Sequence, residues 1–270
     1  MGTDVFAPAR DALQWLPGVA GAIVTDEAGA TLFEHGADDE LPAASVIKVP
    51  LVMALYADAA EGRLDLGERV AAGARADGTG VLRHLADLAE LTLRDLAMLT
   101  IIVSDNTATN RLIERIGTDR VNARLAEWGC ARTRLRRKMY DFEAAAKGSE
   151  NVMTARETAS LFRRLLRGEC RDRATSDAVL GILERCQDKT MLRRYLPPAT
   201  RVAHKTGTLD ASRNDAGIVY GDQPVVACAF VSSLRDPKAG DAWLGLLGWC
   251  AYRAAGGAGG PLPSERWSPA

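Results

Sequence analysis

The sequence Ala43-Ala44-Ser45-Val46-Ile47-Lys48 opens an apolar run that continues to Tyr56, and the rest of the chain can be interpreted from it. Read as the start of a helix, this stretch puts Ser45 and Lys48 three residues apart on one face. A hydroxyl beside an amine is a nucleophile beside a base, and a helix start favours developing negative charge. The same pattern alone also fits a helix start with a solvated lysine. Its meaning therefore depends on what the remaining sequence supplies.

Strand patterns flank this stretch towards both chain ends, and helical patterns fill the middle of the chain. Strands are predicted at 19–24, 31–33, 201–204, 217–220 and 225–231. Helices are predicted at 5–16, 45–62, 93–102, 108–116, 121–128, 154–166, 178–183 and 243–252. The order predicts an α+β fold, in which an antiparallel sheet from both chain ends is flanked by helices and carries an inserted all-helical lobe.

The length of 270 residues suits one large domain with a sizeable core. We expect a single domain over 1–270, with an α/β lobe at about 1–62 and 190–270 and a helical lobe at about 63–189. The tail after Gly256 is rich in glycine and proline and is expected to be loose.

Charge and composition argue against several function classes. A formal net charge of −1 gives no broad basic surface for nucleic acid, and the arginines at 132–137 fit a solvated face or a loop brace. The five cysteines are widely spread, with no Cys-x-x-Cys pair, and the three histidines are isolated. We therefore expect no disulfide framework, no metal and no cofactor. Cys228 and Cys250 lie in apolar runs and are interpreted as core residues.

The first six residues have neither the basic nor the apolar region of a secretory leader, and no run approaches transmembrane length. As written, the chain is expected to be a cytoplasmic monomer without membrane contact. If a leader has been removed, the same sequence fits a periplasmic or secreted protein.

Two further motifs carry chemistry. Ser104-Asp105-Asn106, at a predicted junction of two helices, offers a second hydroxyl and an amide, although it also fits a simple helix cap. Lys205-Thr206-Gly207-Thr208, at the end of a predicted strand, offers an ammonium, a hydroxyl and a glycine that lets a substrate approach the backbone closely. Its alternative is a surface charge at a strand end. His204 also suggests a Ser-His-Asp triad, which we disfavour because the motifs already supply a base.

In this order, Ser-x-x-Lys, Ser-Asp-Asn and Lys-Thr-Gly resemble the signature of class A β-lactamases and related penicillin-binding proteins. The resemblance spans almost the whole chain. It implies a β-lactamase/transpeptidase-like fold and a serine hydrolase that works through an acyl-enzyme. Its substrate would be a small-molecule β-lactam, or a peptide or ester that bears a carboxylate.

The resemblance implies a role for each matching position. Ser45 would be the nucleophile, Lys48 its base or an aid to that base, and Ser104 the relay of a proton to the leaving nitrogen. The backbone N–H groups of Ser45 and Thr208 would form the oxyanion hole. The implied catalytic residues are Ser45, Lys48, Ser104 and Lys205.

The remaining positions would bind substrate. Asn106 would hold the substrate amide, and Lys205 with Thr206 would bind its carboxylate. Arg213 is either a second carboxylate anchor or a member of a surface salt bridge. Asn110 matches the family's structural asparagine below the site. The implied substrate-binding residues are Asn106, Thr206, Gly207, Thr208 and Arg213.

One loop departs from the family pattern. Class A β-lactamases carry Glu-x-x-x-Asn in this loop, and the glutamate activates the water that hydrolyses the acyl-enzyme. In an ungapped comparison, Met139 stands at the glutamate position and Glu143 at the asparagine position. Glu143, Asp141, Lys48 or no group at all would then serve as the base, while Glu143 could equally pair with neighbouring arginines. We therefore expect β-lactam hydrolysis with slow deacylation; a D-Ala-D-Ala peptidase, an esterase and a penicillin-binding sensor without turnover are the alternatives.

Overall fold

The computed structural model describes residues 4–258, so the predicted tail beyond residue 258 lies outside it. In these residues the α-helices are α1 (Ala7–Ala12), α2 (Lys48–Ala60), α3 (Leu93–Ile102), α4 (Asn106–Ile116), α5 (Thr118–Glu127), α6 (Phe142–Ala146), α7 (Ala155–Arg167), α8 (Arg173–Leu183) and α9 (Pro237–Ala254). The strands are β1 (Val19–Asp26), β2 (Thr31–His35), β3 (Leu41–Pro42), β4 (Arg69–Ala71), β5 (Glu90–Thr92), β6 (Val152–Met153), β7 (Val202–Leu209), β8 (Ser212–Val219) and β9 (Val225–Ser232). Three-residue or four-residue 3₁₀ turns cover Leu13–Trp15, Ala44–Ile47 and Leu82–His84.

The chain divides into two compact units. The first contains the N-terminal region up to Val46, Thr154–Arg163 and the chain from Asp188 onward; the second contains Ile47–Met153 and Arg164–Gln187. The sequence prediction placed residues 47–62 in the first lobe. The structure groups them with the second unit, because α2 packs against α4, α5 and α8.

The segment Thr154–Arg163 also differs from its predicted place in the helical lobe. It belongs to the first unit, where the Arg156 side chain pairs with Glu34 and Asp38 and its backbone N–H donates to the carbonyl of Ala37. These long-range contacts leave no local pattern in the sequence.

The core of the first unit lies on one antiparallel sheet with the strand order β2-β1-β9-β8-β7. Every residue of β9, the central strand, is buried. Helices α1 and α9 pack together, and the fully buried Trp243 of α9 donates from its indole N–H to the Ala9 carbonyl at 3.0 Å. The predicted antiparallel sheet from both chain ends is confirmed.

The hairpin of β7 and β8 is longer than predicted. Strand β7 continues to Leu209 and β8 already begins at Ser212, with Leu209 opposite Ser212 in the register. Both strands are buried on both faces over most of their length, so the alternation that identifies a half-exposed strand is missing. The Lys205–Thr208 segment therefore lies inside a strand and not at its end.

The second unit is built around α2, whose residues from Lys48 to Asp58 are buried. Helix α3 packs against α4 and α8, and Thr92 caps its N-terminus by accepting from the Asp95 N–H at 3.1 Å, as the capping box predicts. The paired short strands β4 and β5, and helix α6 inside the predicted loop, were missed because each is too short for a periodic signal.

All five cysteines lie within residues 4–258, where they are buried and form no disulfide. Among residues 4–258, no cluster of histidine, cysteine or acidic side chains could hold a metal ion. In the same range, no helix is both long and apolar enough to cross a membrane.

Candidate active site

Ser45 lies in the 3₁₀ turn Ala44–Ile47, which leads directly into α2. Its side chain is half-buried while its neighbours on both sides are buried. The preceding residue, Ala44, has φ of 46°, which is the left-handed region that favours glycine. Such backbone strain persists only where the surrounding structure holds it, and it is concentrated at functional sites.

Two residues of the β7–β8 hairpin hold this turn within the first unit. A Cβ added to Gly207 would lie 3.1 Å from the backbone N of Ser45, the Cβ of Ala44 and a methyl of Val46, so any larger residue here would press on the turn. Asn214 donates from its amide to the Pro42 carbonyl at 2.8 Å and accepts from the Val231 N–H at 3.1 Å. The sequence assigned Gly207 to the close approach of a substrate, which stays a prediction; in the structure Gly207 lies against the Ser45 turn.

Lys205 is 1% exposed and lies within β7, so it is not a surface charge at a strand end. Its ammonium donates to the Thr206 carbonyl at 2.7 Å. Thr206 is buried, and Thr208 is the first exposed residue beyond it in the strand. The lysine and the threonine hydroxyl of this motif are thus fixed by the strand.

Sequence reasoning missed a carboxylate beside this motif. Asp188 accepts from the hydroxyl and the N–H of Thr190 at 2.7 and 3.0 Å. Burial works to raise the pKa of Asp188, but hydrogen bonds from Thr190 and Thr206 and the charge of Lys205 outweigh it and hold the pKa below its ordinary value. An ionised carboxylate therefore contacts the motif, and no local sequence signal predicts it.

Arg213 is the second residue of β8 and lies opposite Thr208. Its guanidinium forms an ion pair with Asp241 at 3.0 Å and donates to the carbonyls of Leu209 and Ser212. Burial raises the pKa of Asp241 although Arg213 lies beside it. The salt bridge left open by the sequence is thus present, with Arg213 only 16% exposed, and the role of anchor stays a prediction.

His204 contacts a carboxylate inside the first unit. Its Nδ1 lies 3.0 and 3.1 Å from the two oxygens of Asp215, and both side chains are fully buried. Asp215 also accepts from the Leu192 N–H at 3.1 Å. This arrangement is a buried brace next to Lys205.

In the second unit, the structure brings Lys48, Ser104 and Asn106 together. Lys48 is the first residue of α2 and is fully buried. Its ammonium donates to the Ser104 carbonyl at 2.7 Å, the Ser104 hydroxyl at 3.1 Å and the Asn106 side-chain oxygen at 2.8 Å. The Asn106 amide in turn donates to the Asp77 carbonyl at 2.8 Å. An amine, a hydroxyl and an oriented amide are thereby connected for proton transfer and amide recognition.

The middle residue of the Ser-Asp-Asn motif has the capping role. Asp105 caps α4 by accepting from the Ala108 N–H at 2.9 Å, and its other oxygen accepts from the N–H groups of Val81 and Leu82 at 2.7 and 2.8 Å. Ser104, with φ of 54°, is a second left-handed non-glycine residue. The cap frees Ser104 and Asn106 to contact Lys48.

The loop with the family departure is held by asparagine side chains. Asn110 donates to the Met139 carbonyl at 3.1 Å and accepts from the Met139 N–H at 2.7 Å, which is the bracing role implied by the resemblance. Asn122 makes the same reciprocal pair with the backbone of Leu135. Asn151 accepts from the N–H groups of Arg136 and Arg137 and donates to the Arg137 carbonyl.

The two loop carboxylates considered as bases have other contacts. Asp141 caps α6 by accepting from the Ala144 N–H at 3.0 Å. Glu143 has an 80% exposed side chain and pairs with Lys147, not with the neighbouring arginines. Of those arginines, Arg137 pairs with Glu150 at 2.7 Å and is 5% exposed, so it braces the loop.

A family model described as the beta-lactamase enzyme family matches residues 9–255. The chain belongs to this family. The match includes all three motifs in their expected order, and with them the turn at Ser45, the Lys48 cluster and the β7 motif.

Known relatives agree with the family match. The chain is 28% identical over 223 residues to β-lactamase L2 of Stenotrophomonas maltophilia, covering 79% of this chain and 73% of that protein. A solved β-lactamase from Sphaerobacter thermophilus DSM 20745 is 36% identical with a TM-score of 0.86, covering 94% of this chain and 97% of the other.

Solved structures of PBP-A are also similar. One is 29% identical with a TM-score of 0.83 and covers 93% of this chain and 96% of that one. A mutant of PBP-A in an acyl-enzyme complex with penicillin G is 29% identical with a TM-score of 0.81, covering 91% of this chain and 95% of that one. Family and fold together identify the chain as a serine β-lactamase-like hydrolase with the β-lactamase/transpeptidase fold.

Proposed function

We propose that this β-lactamase family member opens β-lactams by forming an acyl-enzyme at Ser45 and releases the product slowly. Lys48 takes the proton from Ser45, and Ser104 passes a proton to the leaving nitrogen. Asn106 holds the substrate amide, while Lys205 and Thr206 receive its carboxylate. The backbone N–H groups of Ser45 and Thr208 stabilise the oxyanion, where loss of one donor costs about 10²–10³ in rate.

The observation that carries the proposal is the contact set of Lys48. A fully buried ammonium three residues after Ser45 donates to both Ser104 and Asn106, which gives a buried charge hydrogen-bonding partners that are themselves reactive groups. If Lys48 had only a structural role, an apolar residue at the start of this buried helix would avoid the desolvation cost of a buried charge.

Slow release is supported by the loop. Asn110 fixes the backbone of Met139, whose side chain has no acid–base function, and Asp141 and Glu143 are engaged in a cap and an exposed ion pair. A general base contributes about 10²–10⁴ to a rate. Without one for water, deacylation falls by a comparable factor relative to acylation.

Intact-mass spectrometry after addition of benzylpenicillin tests both acylation and deacylation. The wild type should gain the mass of one penicillin quickly and lose it slowly, and Ser45→Ala should gain none. Met139→Glu should form the same adduct and lose it at least tenfold faster, because it restores a carboxylate to the loop. A wild type that forms no adduct and turns over no β-lactam or ester contradicts the proposed acyl-enzyme; rapid adduct loss from the wild type contradicts slow release alone.

A peptidase acting on D-Ala-D-Ala ends is the second candidate. It is favoured by the similarity to PBP-A over almost the full length of both chains, together with the methionine in the loop. Assays of nitrocefin, a D-Ala-D-Ala peptide and p-nitrophenyl esters side by side distinguish the activities. Peptide turnover that exceeds nitrocefin turnover would favour the peptidase.

A further inference from the structure

Arginines make up half of the lining of a surface cavity in the second unit. The cavity has a volume of about 320 Å³ and lies where α2 ends and where α4 passes into α5. Its lining consists of three arginines, one aspartate and two apolar residues: Arg63, Arg115, Arg120, Asp58, Leu64 and Ile116. The volume is at the lower end of the range for small-molecule sites, so the cavity has room for a ligand larger than a single water.

Carboxylates hold two of these guanidinium groups by the edge that contains Nε. Arg120 donates to Asp58 from Nε at 2.9 Å and from Nη2 at 2.6 Å. Arg115 donates to Glu68 in the same way, at 2.6 and 2.8 Å. A bidentate pair of this kind fixes the plane of the guanidinium. Both groups are therefore oriented before a ligand binds, which lowers the entropic cost of binding it.

The other edges of the three guanidinium groups keep donors for a ligand. Over residues 4–258, Nη1 of Arg115 makes no hydrogen bond, and Nη1 of Arg120 lies 3.7 Å from Glu127 Oε1, beyond hydrogen-bond distance. In the same range, Arg63 is paired through Nε alone, with Glu61 at 3.0 Å. A guanidinium has five N–H donors, and none of the three uses more than two of them. Each therefore keeps at least three.

The charges of the lining favour an anion. Asp58, its carboxylate, is 3% exposed and also accepts from Arg124 at 2.9 and 2.5 Å, so two guanidinium groups offset this one charge. The glutamates that pair with Arg63 and Arg115 are outside the lining, where three positive charges meet one negative charge. Since the arginines are in contact with water, the attraction for an anion is moderate and depends on salt.

We propose that this cavity binds a small anion with two or more phosphate or carboxylate groups, through the outer edges of Arg63, Arg115 and Arg120. The edge of a guanidinium matches a pair of phosphate or carboxylate oxygens. Three such edges around one cavity suit several anionic groups better than a single one. Binding at this site requires no acyl-enzyme at Ser45.

Calorimetric titration of the full chain with sodium pyrophosphate, at constant ionic strength, tests the site. The wild type should bind with a Kd below about 1 mM, and 10 mM pyrophosphate should then raise Tm by about 3–6 °C. Arg63→Gln and Arg115→Gln each remove one guanidinium and should weaken binding about fivefold or more. Arg69→Gln is the matched control, because Arg69 is as exposed as Arg63 and also pairs with one glutamate but is not part of the lining. It should bind like the wild type.

Two further anions identify the ligand chemistry. Inorganic phosphate has a single phosphoryl group and should bind at least about fivefold more weakly than pyrophosphate. Equal affinity would contradict a site for more than one anionic group. Citrate distinguishes clustered carboxylates from phosphates. Binding of citrate or pyrophosphate that weakens in Arg63→Gln supports the site, and binding of neither at 10 mM overturns it.

The arginine variants also separate this cavity from the Lys205 motif of the first unit, which carries positive charge of its own. Pyrophosphate binding that is equal in the wild type, Arg63→Gln and Arg115→Gln belongs elsewhere and overturns the inference. Arg115→Gln also loses the ion pair with Glu68, so urea unfolding has to show that this variant is folded. If it is not, Arg63→Gln decides alone, since its exposed pair with Glu61 contributes little to stability.

Discussion

Gly207→Ala is the substitution that most directly probes how the Ser45 turn is held. The added Cβ would lie 3.1 Å from Ala44, Ser45 and Val46, below the 3.4 Å at which ordinary contact begins. All three neighbours belong to the turn, so the turn has to move by a few tenths of an ångström. Oxyanion donors act within a narrow range of distances, and complete loss of one costs about 10²–10³. A partial displacement of the Ser45 N–H should therefore lower the acylation rate about tenfold.

The assay is the rate of adduct formation with benzylpenicillin, followed by intact mass, together with urea unfolding. Overpacking of this kind costs about 1–3 kcal/mol, so the variant should remain folded. Gly181→Ala is the matched control, since its Cβ meets no atom within 4 Å in the interior of α8. That control should acylate like the wild type and raise the free energy of unfolding by about 0.5–1 kcal/mol. Wild-type acylation by a folded Gly207→Ala protein would refute the reasoning that the turn is tightly packed and that its N–H contributes.

Two further predictions concern buried or partly buried carboxylates. Asp58 is 3% exposed and accepts from Arg120 and Arg124; burial works to raise its pKa, but these hydrogen bonds and charges lower it. Asp58→Asn should lower the free energy of unfolding, measured by urea titration, by about 3 kcal/mol at neutral pH. The difference from the wild type should shrink as the pH falls through the lowered pKa of Asp58, because the wild-type carboxylate is then protonated. Glu143→Gln, which removes a carboxylate from an exposed ion pair, is the control and should leave the free energy of unfolding unchanged. Asp188→Asn should lower KM about fivefold for a substrate with a free carboxylate and leave its methyl ester unchanged, because the negative charge beside Lys205 and Thr206 is removed. The pKa of Asp188 is lowered, so this effect should persist into mildly acidic solution and vanish only when the wild-type carboxyl is protonated; an equal change in KM for acid and ester would contradict it.

Motif residues could be predicted from the sequence where their chemistry is local. Ser45 and Lys48 lie three residues apart, and Ser104 and Asn106 belong to one tripeptide. These short motifs became informative only together, in the order that resembles the family signature. The partners of these residues could not be predicted, because they arrive through tertiary contacts. Asp188 lies 17 positions before Lys205 in a segment without a pattern, so its hydrogen bond from Thr206 could not be predicted from the sequence.

The sheet was predictable in outline and not in detail. Continuous apolar runs identified β1 and β9, whereas β7 was predicted to end at His204 because the polar residues Lys205 and Thr206 resemble the end of a strand. In the structure both are buried, and the strand continues beneath the Ser45 turn. The polar residues of this motif interrupt the hydrophobic pattern from which the end of the strand was predicted.

The asparagines that hold the Met139 loop have a consequence for how the protein can change. The side-chain amides of Asn110, Asn122 and Asn151 hydrogen-bond to main-chain atoms of the loop, so this part of the loop's support does not depend on the side chain at position 139. A substitution at residue 139 would therefore leave the two hydrogen bonds from Asn110 to its backbone in place. Under the proposed function, related proteins with this loop would differ in how fast they hydrolyse the acyl-enzyme through a substitution at residue 139 alone.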